Sequence, residues 1–424
     1  MQSDQVDPLV EAEKHPGSWF ISPKRWADME RWHQAVAEIR RDTPVMEIDA
    51  PGFQKMHVLT RHEDVFAVSR DNARWHNTPM SVLGPDVQYE QMLEQGLPMP
   101  KSLVHLDGAD HRDHRAVTND WFKPAAVGRR QPRIDEIAEE YVEKMRSLGG
   151  RCDFAADIAQ PFTLRVIMDI YGVPESDEAM MLELTQGIFG AADPEYLGDA
   201  SDPFTKVMES VMRFIVYFNE ITEDRRACPA DDIATVIVNG MPGGCPIDDE
   251  HRLWYFIIIA TAGHDTTSFA LSGGLEALVR NPDQMRALGE NPDLLQGATD
   301  EVIRWTSPVR HFMRYAQDDV EIRGTKIPAG GRVLLSYPSA NRDDAVFVEP
   351  NTFDITRPDS DRLLSFGVGA HFCLGSQFAR REVRTLLGRL SRELEHIELD
   401  GEPENAQSHF VSGVKHLPIR YSFR

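Results

Sequence analysis

Cysteine is scarce in this chain of 424 residues: Cys152, Cys228, Cys245 and Cys373 lie far apart and form no CxxC pair. That spacing speaks against a disulfide framework and suits a reducing compartment. Zinc is equally unsupported, because no second cysteine or histidine stands at ligand spacing on the same turn; His371 is too close to Cys373. Long apolar runs are missing as well. The longest, Trp254–Ala262, is under half of the roughly 20 residues needed to cross a bilayer. The opening stretch MQSDQVDPLVEAEKHPG has neither a basic nor an apolar segment, so it reads as neither signal peptide nor anchor and predicts a cytoplasmic protein. Positive charge is in deficit, with 45 Lys and Arg against 68 Asp and Glu and a formal net charge of −23. Nucleic acid and anionic membrane are therefore poor partners. Repeats, low-complexity tracts and Gly/Ser/Pro-rich linkers are absent. Glycine pairs occur in GGLEAL (273–278) and PAGGRV (328–333), but neither makes a GxGxxG after a strand, so no flavin or nicotinamide fingerprint is present.

What the chain does have is 41% hydrophobic residues, enough for a large core, and a distinctive stretch, Phe366–Gly375, reading FGVGAHFCLG. Gly367 and Gly369 permit turns that a Cβ would forbid. Behind them, Cys373 stands just ahead of LGSQFARREVRTLLGRL, where Leu374, Phe378, Val383, Leu386, Leu387 and Leu390 recur at helical spacing. A thiol at a helix N-terminus is expected to have a lowered pKa through the dipole and the free amides. The resulting thiolate could serve as a nucleophile, a zinc ligand or an iron ligand.

Phe366, Gly367, Gly369, His371, Cys373, Gly375 and Ala379 resemble the haem-binding signature of the cytochrome P450 family. The resemblance runs over nearly the whole chain. It implies a mainly α fold with small β-sheets: one domain over 1–424, with a sheet-rich N-terminal part at about 45–70 and a C-terminal hairpin. Length alone would have allowed two or three domains. It also implies haem b as cofactor, held by Phe366, Gly367, His371, Cys373 and Gly375, with Cys373 as the proximal iron ligand. Amides of the glycine loop would then bond to the sulfur and tune the iron potential.

Along the chain, residues 1–24 read as an irregular leader and 25–41 as a helix that stops ahead of Pro44. MHVLTR (56–61) reads as a strand and EDVFAVSRD (63–71) as a helix. Prolines and glycines break any pattern over 72–104, which by resemblance covers the substrate pocket; an ordinary surface loop is the rival reading. In LDGADHRDHRAVTNDWF (106–122), His111 and Arg115 share a helix face, whereas Arg112 and His114 point elsewhere and read as solvated. By resemblance His111, Arg115 and Arg314 hold the haem propionates, carboxylates that need cationic donors at the edge of an apolar pocket. Several amphipathic helices fill 134–225; Met180, Met181, Leu184, Ile188 and Phe189 are either pocket roof or ordinary core. The polar break at 191–203 suits a hinge.

Residues 246–281 read as one long helix, with Asp248 and Asp249 at its start and Pro282 after its end. Within it, Ala262-Gly263-His264-Asp265-Thr266-Thr267 matches the oxygen-activation motif of the family. Thr266 can bond back to a carbonyl and widen the helix, and Asp265 supplies a carboxylate beside it. His264 departs from the apolar residue common there and reads chiefly as a packed or partnered histidine facing away from the haem. Glu301 and Arg304 form the ExxR element, completed by Arg357 as a buried ion triad with a folding role. Short strands are predicted over 320–343 and a terminal hairpin over 409–423.

The implied activity is monooxygenation of a small apolar compound with O2, Asp265 and Thr266 being the catalytic residues that pass protons to the distal side. The wording ATAGHDTTS, LSYPSANRD and FDITR is similar to bacterial members that oxidise monoterpenoids, so a monoterpenoid or aromatic hydrocarbon is the implied substrate. Leu103, Ile258, Thr261, Ala262, Val309, Phe312 and Val411 are the expected pocket residues, and Phe410 is a candidate for the rim. Electrons must come from outside, from a 2Fe-2S ferredoxin with its NAD(P)H-dependent reductase. Arg112, Arg115, Lys123, Arg129, Arg130, Arg133, Arg380, Arg381 and Arg384 would form its basic docking face; solvated helix faces are the plainer reading of any one of them. The alternatives are a haem-thiolate sensor or electron carrier and a peroxide-driven enzyme, both of which predict loss of the acid-alcohol pair present here.

Overall fold

The computed structural model describes residues 8–94, 96 and 99–424. Helices dominate, and most of the buried apolar side chains form one cluster from Leu103 to Tyr421. Two smaller clusters pack the N-terminal helices and the main sheet. No helix among the described residues is long and apolar enough to cross a membrane.

Residues 1–7 of the expected irregular leader lie outside the described residues. The rest of it contains short helices, Pro8–Ala12 and Ser18–Ile21. Phe20 and Ile21 are buried there against Trp26 and Trp32, whose rings stack at 4.3 Å. The 25–41 helix is divided at Asp28, whose side chain accepts from the Arg31 N–H and so restarts the helix at Met29.

The main sheet has strand order Val45–Ile48, Met56–Leu59, Arg332–Ser336, His311–Ala316, Trp75–His76. Only the pairing of Met56–Leu59 with Arg332–Ser336 is parallel. The sheet near residues 45–70 is therefore built from both ends of the chain, and Leu59 and Val333–Leu335 are buried at its centre.

Two other expectations need correction. The aperiodic 72–104 stretch contains a helix, Asp86–Glu94, none of whose residues is buried. An exposed helix has no apolar stripe, so its period cannot be read from the sequence. The 409–423 segment is not a self-paired hairpin. Val414–His416 pairs with Glu404–Asn405, and Pro418–Phe423 lies between Arg151–Asp153 and Leu394–Leu399 in a separate sheet. Leu417, fully buried between the two strands, turns the chain from one sheet to the other.

Candidate active site

The Cys loop is shaped by its glycines. Gly367 and Gly369 have φ of 64° and 80°, in the region open to glycine, and a Cβ on Gly369 would lie 3.0 Å from Ser69 O and Arg70 Cα. The loop is tied to the His62–Arg70 helix, where Ser69 Oγ donates to Val368 O at 3.2 Å, and Asn72 Oδ1 accepts from the Ala370 N–H at 3.1 Å. The Cys373 N–H donates to Phe366 O at 2.8 Å, closing the loop under the sulfur. Burial pushes the Cys373 thiol up, against the lowering by the Gly375 N–H and the Arg115 and Arg380 guanidiniums. This reverses the expected lowering of its pKa: the helix begins only at Ser376, and desolvation outweighs its amides. Coordination to a metal would remove the proton outright.

A cluster of cations and donors lies along one edge of the same cavity. The His111 and His371 rings lie 4.0 Å apart, tilted by 36°, and Arg115 Nη2 donates to Phe372 O at 2.7 Å. Arg314 is buried, with Nη1 donating to Met313 O at 2.8 Å. His111 Nε2 and Arg314 Nε are buried without a protein partner. Burial, together with His371 and Arg115, holds His111 down at about 3. Buried donors with nothing to bond are costly unless a ligand completes them. All four residues line the cavity that also exposes Cys373. Two carboxylates on a flat macrocycle would meet that need, so the donor set fits haem, whose propionates these residues would hold.

The opposite wall is a broken helix. The predicted single helix is two, Asp249–Ala262 and Asp265–Arg280. Thr266 Oγ1 donates to Ala262 O at 3.0 Å, capturing a carbonyl near the break. Gly263 sits against Ile167, where a Cβ would come within 2.8 Å of its side chain. Ala262, Gly263 and Thr266 face the cavity, whereas Asp265 is buried behind the wall with His264 Nδ1 at 2.8 Å from Oδ1. His264 is fully buried away from the cavity.

Of the other predicted residues, Phe366, Gly367, Gly375, Leu103, Ile258, Val309, Phe312 and Val411 line the cavity, as does Phe410. Thr261 does not. Its hydroxyl donates to Ile257 O at 2.8 Å and the side chain is buried in the helix packing. Met181 and Leu184 belong to the core, and of the proposed roof residues only Phe189 reaches the cavity. His114 is not solvated either; it is buried, stacked on His251 at 4.4 Å, with Nδ1 2.9 Å from Asp110 O. Sequence reasoning missed Val82, His105, Ile167, Ile170 and Tyr337, which come from loops and helices whose patterns carry no mark of the pocket.

Glu301 lies at the centre of a buried ion group behind the Cys loop. Arg304 donates to both its oxygens, at 2.6 and 2.8 Å, and Arg357 Nε donates to Oε2 at 3.1 Å. The guanidiniums also reach carbonyls: Arg304 those of Asn341 and Pro350, and Arg357 those of Val348, Glu349 and Thr352. The group thereby pins the connection from 341 to 357, which leads into the Cys loop.

Comparison with known proteins agrees with this geometry. The family model described as Cytochrome P450 matches residues 15–423. The chain is 37% identical to cytochrome P450-terp of a Pseudomonas species, over 98% of this chain and 100% of that protein. It is 32% identical to the methyl-branched lipid omega-hydroxylase of Mycobacterium tuberculosis, over 92% of this chain and 90% of that one. A crystal structure of a P450 from Novosphingobium aromaticivorans superposes with a TM-score of 0.89 at 38% identity, covering 99% of this chain and 100% of that one. The chain belongs to the cytochrome P450 family and is a monooxygenase that binds haem b.

Proposed function

We propose that this P450 hydroxylates a compact, neutral, apolar compound, a monoterpenoid or aromatic hydrocarbon, with electrons from a 2Fe-2S ferredoxin and its NAD(P)H-dependent reductase. The observation that carries the substrate class is the chamber beside the Thr266 wall. Leu103, Ile258, Ala262, Val309, Phe312 and Val411 line it, and Phe410 packs edge-on against both Phe189 and Phe312 at 5.5 and 5.4 Å. Such walls reward burial of apolar surface by roughly 25 cal/mol per Å² and offer few fixed partners to a charged ligand.

Haem bound through Cys373 supplies the oxygen chemistry, the thiolate favouring O–O cleavage. The chain does the rest. His111, His371, Arg115 and Arg314 would hold the propionates, the two arginines supplying the positive charge and the histidines hydrogen-bond donors. Thr266, its hydrogen engaged by Ala262 O, presents hydroxyl lone pairs to the chamber, and Asp265, its neighbour in the chain, is buried behind the wall. Proton delivery by this pair is the catalytic role assigned to them.

The electron donor is assigned by surface charge. Lys123, Arg130, Arg133 and Arg380 already face carboxylates of their own chain, and Arg112 faces Asp113. No ion pair among the described residues includes Arg129, Arg381 or Arg384; Arg381 donates to Gln131 Oε1 and lies beside Gly128, next to Arg129 in the chain. These three form the core of a smaller basic patch than the nine residues first named, suited to an acidic ferredoxin.

The test is reconstitution of the holoenzyme with a 2Fe-2S ferredoxin, its reductase and NADH, followed by screening of monoterpenols and small arenes. The expected result is a substrate-dependent shift of the haem spectrum and NADH-dependent hydroxylated product. Tight binding and turnover restricted to long-chain lipids would overturn the substrate class. Turnover insensitive to ionic strength and to Arg381→Glu would overturn the docking assignment.

A further inference from the structure

Two histidines far apart in the chain meet on one backbone unit at the edge of the cavity. The Leu83 N–H donates to His311 Nε2 at 3.1 Å, and the Leu83 carbonyl oxygen lies 2.8 Å from His409 Nε2. The clasp closes on itself, because His311 Nδ1 is 3.0 Å from the His409 carbonyl oxygen. The two rings are nearly parallel, with centroids 6.0 Å apart. These contacts fix the tautomers. Carbonyl oxygens only accept, so His311 carries its proton on Nδ1 and His409 carries one on Nε2. His311 Nε2 must then offer its lone pair to the Leu83 N–H. A second proton on His311 would set two donors face to face. Burial, and then His409, holds His311 down at about 3, and burial pushes His409 down as well, so both rings are neutral at neutral pH.

Val82, Phe312 and Phe410 line the cavity, and each is next in the chain to a member of the clasp. Two of the three have a frame of their own. Phe312 is paired within the main sheet, and the Phe410 carbonyl accepts from the Arg310 N–H at 2.8 Å. Val82 has none, since the chain between His76 and Asp86 forms no helix or strand. Besides the clasp, its stretch is held by the Met313 N–H, which donates to Ser81 O at 2.8 Å, and by the Leu83 side chain, buried in the N-terminal core cluster. The Leu83 backbone is therefore the point at which the chain passes from that core to the cavity. Losing either histidine would leave a buried backbone group without a partner, and the stretch would shift until water reached it.

We propose that His311 and His409 are positioning residues for substrate recognition: by clasping both polar groups of the Leu83 backbone, they hold Val82 in the wall beside Phe312 and Phe410 and set the width of the apolar chamber. This rests on the reading of that chamber as the substrate site and deepens it by naming what fixes one of its walls.

Two measurements test this, and neither needs a substrate or an electron donor. The first is 15N NMR of histidine-labelled holoenzyme in its diamagnetic ferrous carbon monoxide form at neutral pH. The two rings are identified by the loss of their signals in His311→Gln and His409→Gln. His311 should be protonated at Nδ1 alone and His409 at Nε2 alone. A charged ring, or a His311 protonated at Nε2, overturns the clasp.

The second is binding of phenylimidazole to the ferric holoenzyme, read from the haem spectrum, with imidazole as the reference. Both azoles bring a nitrogen to the iron, but only phenylimidazole extends to the apolar walls. His409→Phe keeps a flat ring and removes the donor to Leu83 O. It should weaken phenylimidazole about tenfold, the effect of a buried carbonyl left unpaired, while imidazole changes by less than about twofold. His409→Gln, whose amide N–H reaches the place of Nε2–H, should bind phenylimidazole within about threefold of the wild type. Adding His311→Phe to His409→Phe should cost no more than about twofold beyond the weaker single variant, because both residues act through Leu83. Equal losses for the two azoles, a Gln variant as poor as Phe, or independent effects of the two sites overturn the proposal. A wild type that binds imidazole more tightly than phenylimidazole would instead overturn the chamber reading, and the proposal with it.

Discussion

Replacing Glu301 with glutamine changes one charge in the most completely buried ion group of the molecule. Glu301 and Arg304 are both wholly inaccessible, and Arg357 is nearly so. Glutamine keeps the shape and an acceptor oxygen, so the Asp354 N–H at 2.9 Å retains a partner. The two guanidiniums, however, lose their shared counter-charge. Arg342, pushed down by burial and then by Arg304, loses the one carboxylate acting on it from inside. Breaking a buried pair on one side costs about 3–5 kcal/mol, mostly through the charge left behind. An unfolding entropy of about 2.1 cal/mol/K per residue gives this chain about 0.9 kcal/mol/K, so the midpoint should fall by about 3–6 °C. The assay is thermal unfolding of holo- and apoprotein by circular dichroism at one scan rate, with Asp283→Asn as control. Asp283 pairs with Arg286 at 3.2 Å on the surface, both side chains more than half exposed, and should move the midpoint by less than about 1 °C. Equal shifts in the two variants would refute the argument that Glu301 is a buried counter-ion.

Arg314→Leu removes a donor without a partner from the cavity edge, and it should speed haem transfer to an acceptor apoprotein by about tenfold or more, with little change in the stability of the apoprotein. Thr266→Val should leave NADH consumption running while product per NADH drops about tenfold or more, as expected for a proton-handling hydroxyl; an unchanged yield removes Thr266 from the mechanism. Acidification should destabilise the fold before the carboxylates titrate. His311 is held down at about 3 by burial and His409, so between its unfolded value near 6.5 and about 3 the unfolded chain binds a proton that the folded one does not. Stability then falls as pH falls, by about 1.4 kcal/mol per pH unit for this residue, and denaturant midpoints of His311→Gln should show a slope smaller by about one proton.

The chemistry of this protein is more legible in its sequence than the walls of its pocket are. The Cys loop, the Glu301-Arg304-Arg357 group and the Thr266 helix break depend on residue types that few other residues can replace: a positive φ, a buried charge, a hydroxyl that captures a carbonyl. Pocket walls need only apolar bulk. Thr261 illustrates the failure: next to Ala262 in sequence, it turns the other way because successive helical residues face different directions. His114 failed for a related reason. Its partner His251 lies far along the chain, and no local pattern announces a tertiary contact. The exposed Asp86–Glu94 helix left no periodicity to read.

The chamber is closed in part by the loop between Glu404–Asn405 and Val414–His416, whose residues 410–412 are held to the 308–310 segment through the backbone. Arg310 N donates to Phe410 O at 2.8 Å, Ser412 N donates to Pro308 O at 3.0 Å, and Val309 bridges Val411. A backbone tether is indifferent to the side chains it carries. Residues 410 and 411, which line the cavity, can therefore be exchanged to reshape it while the loop keeps its place and the Cys373 cradle is untouched. In such an arrangement a new substrate costs a few substitutions in one short segment, which makes this loop a natural site for both evolutionary drift and laboratory redesign.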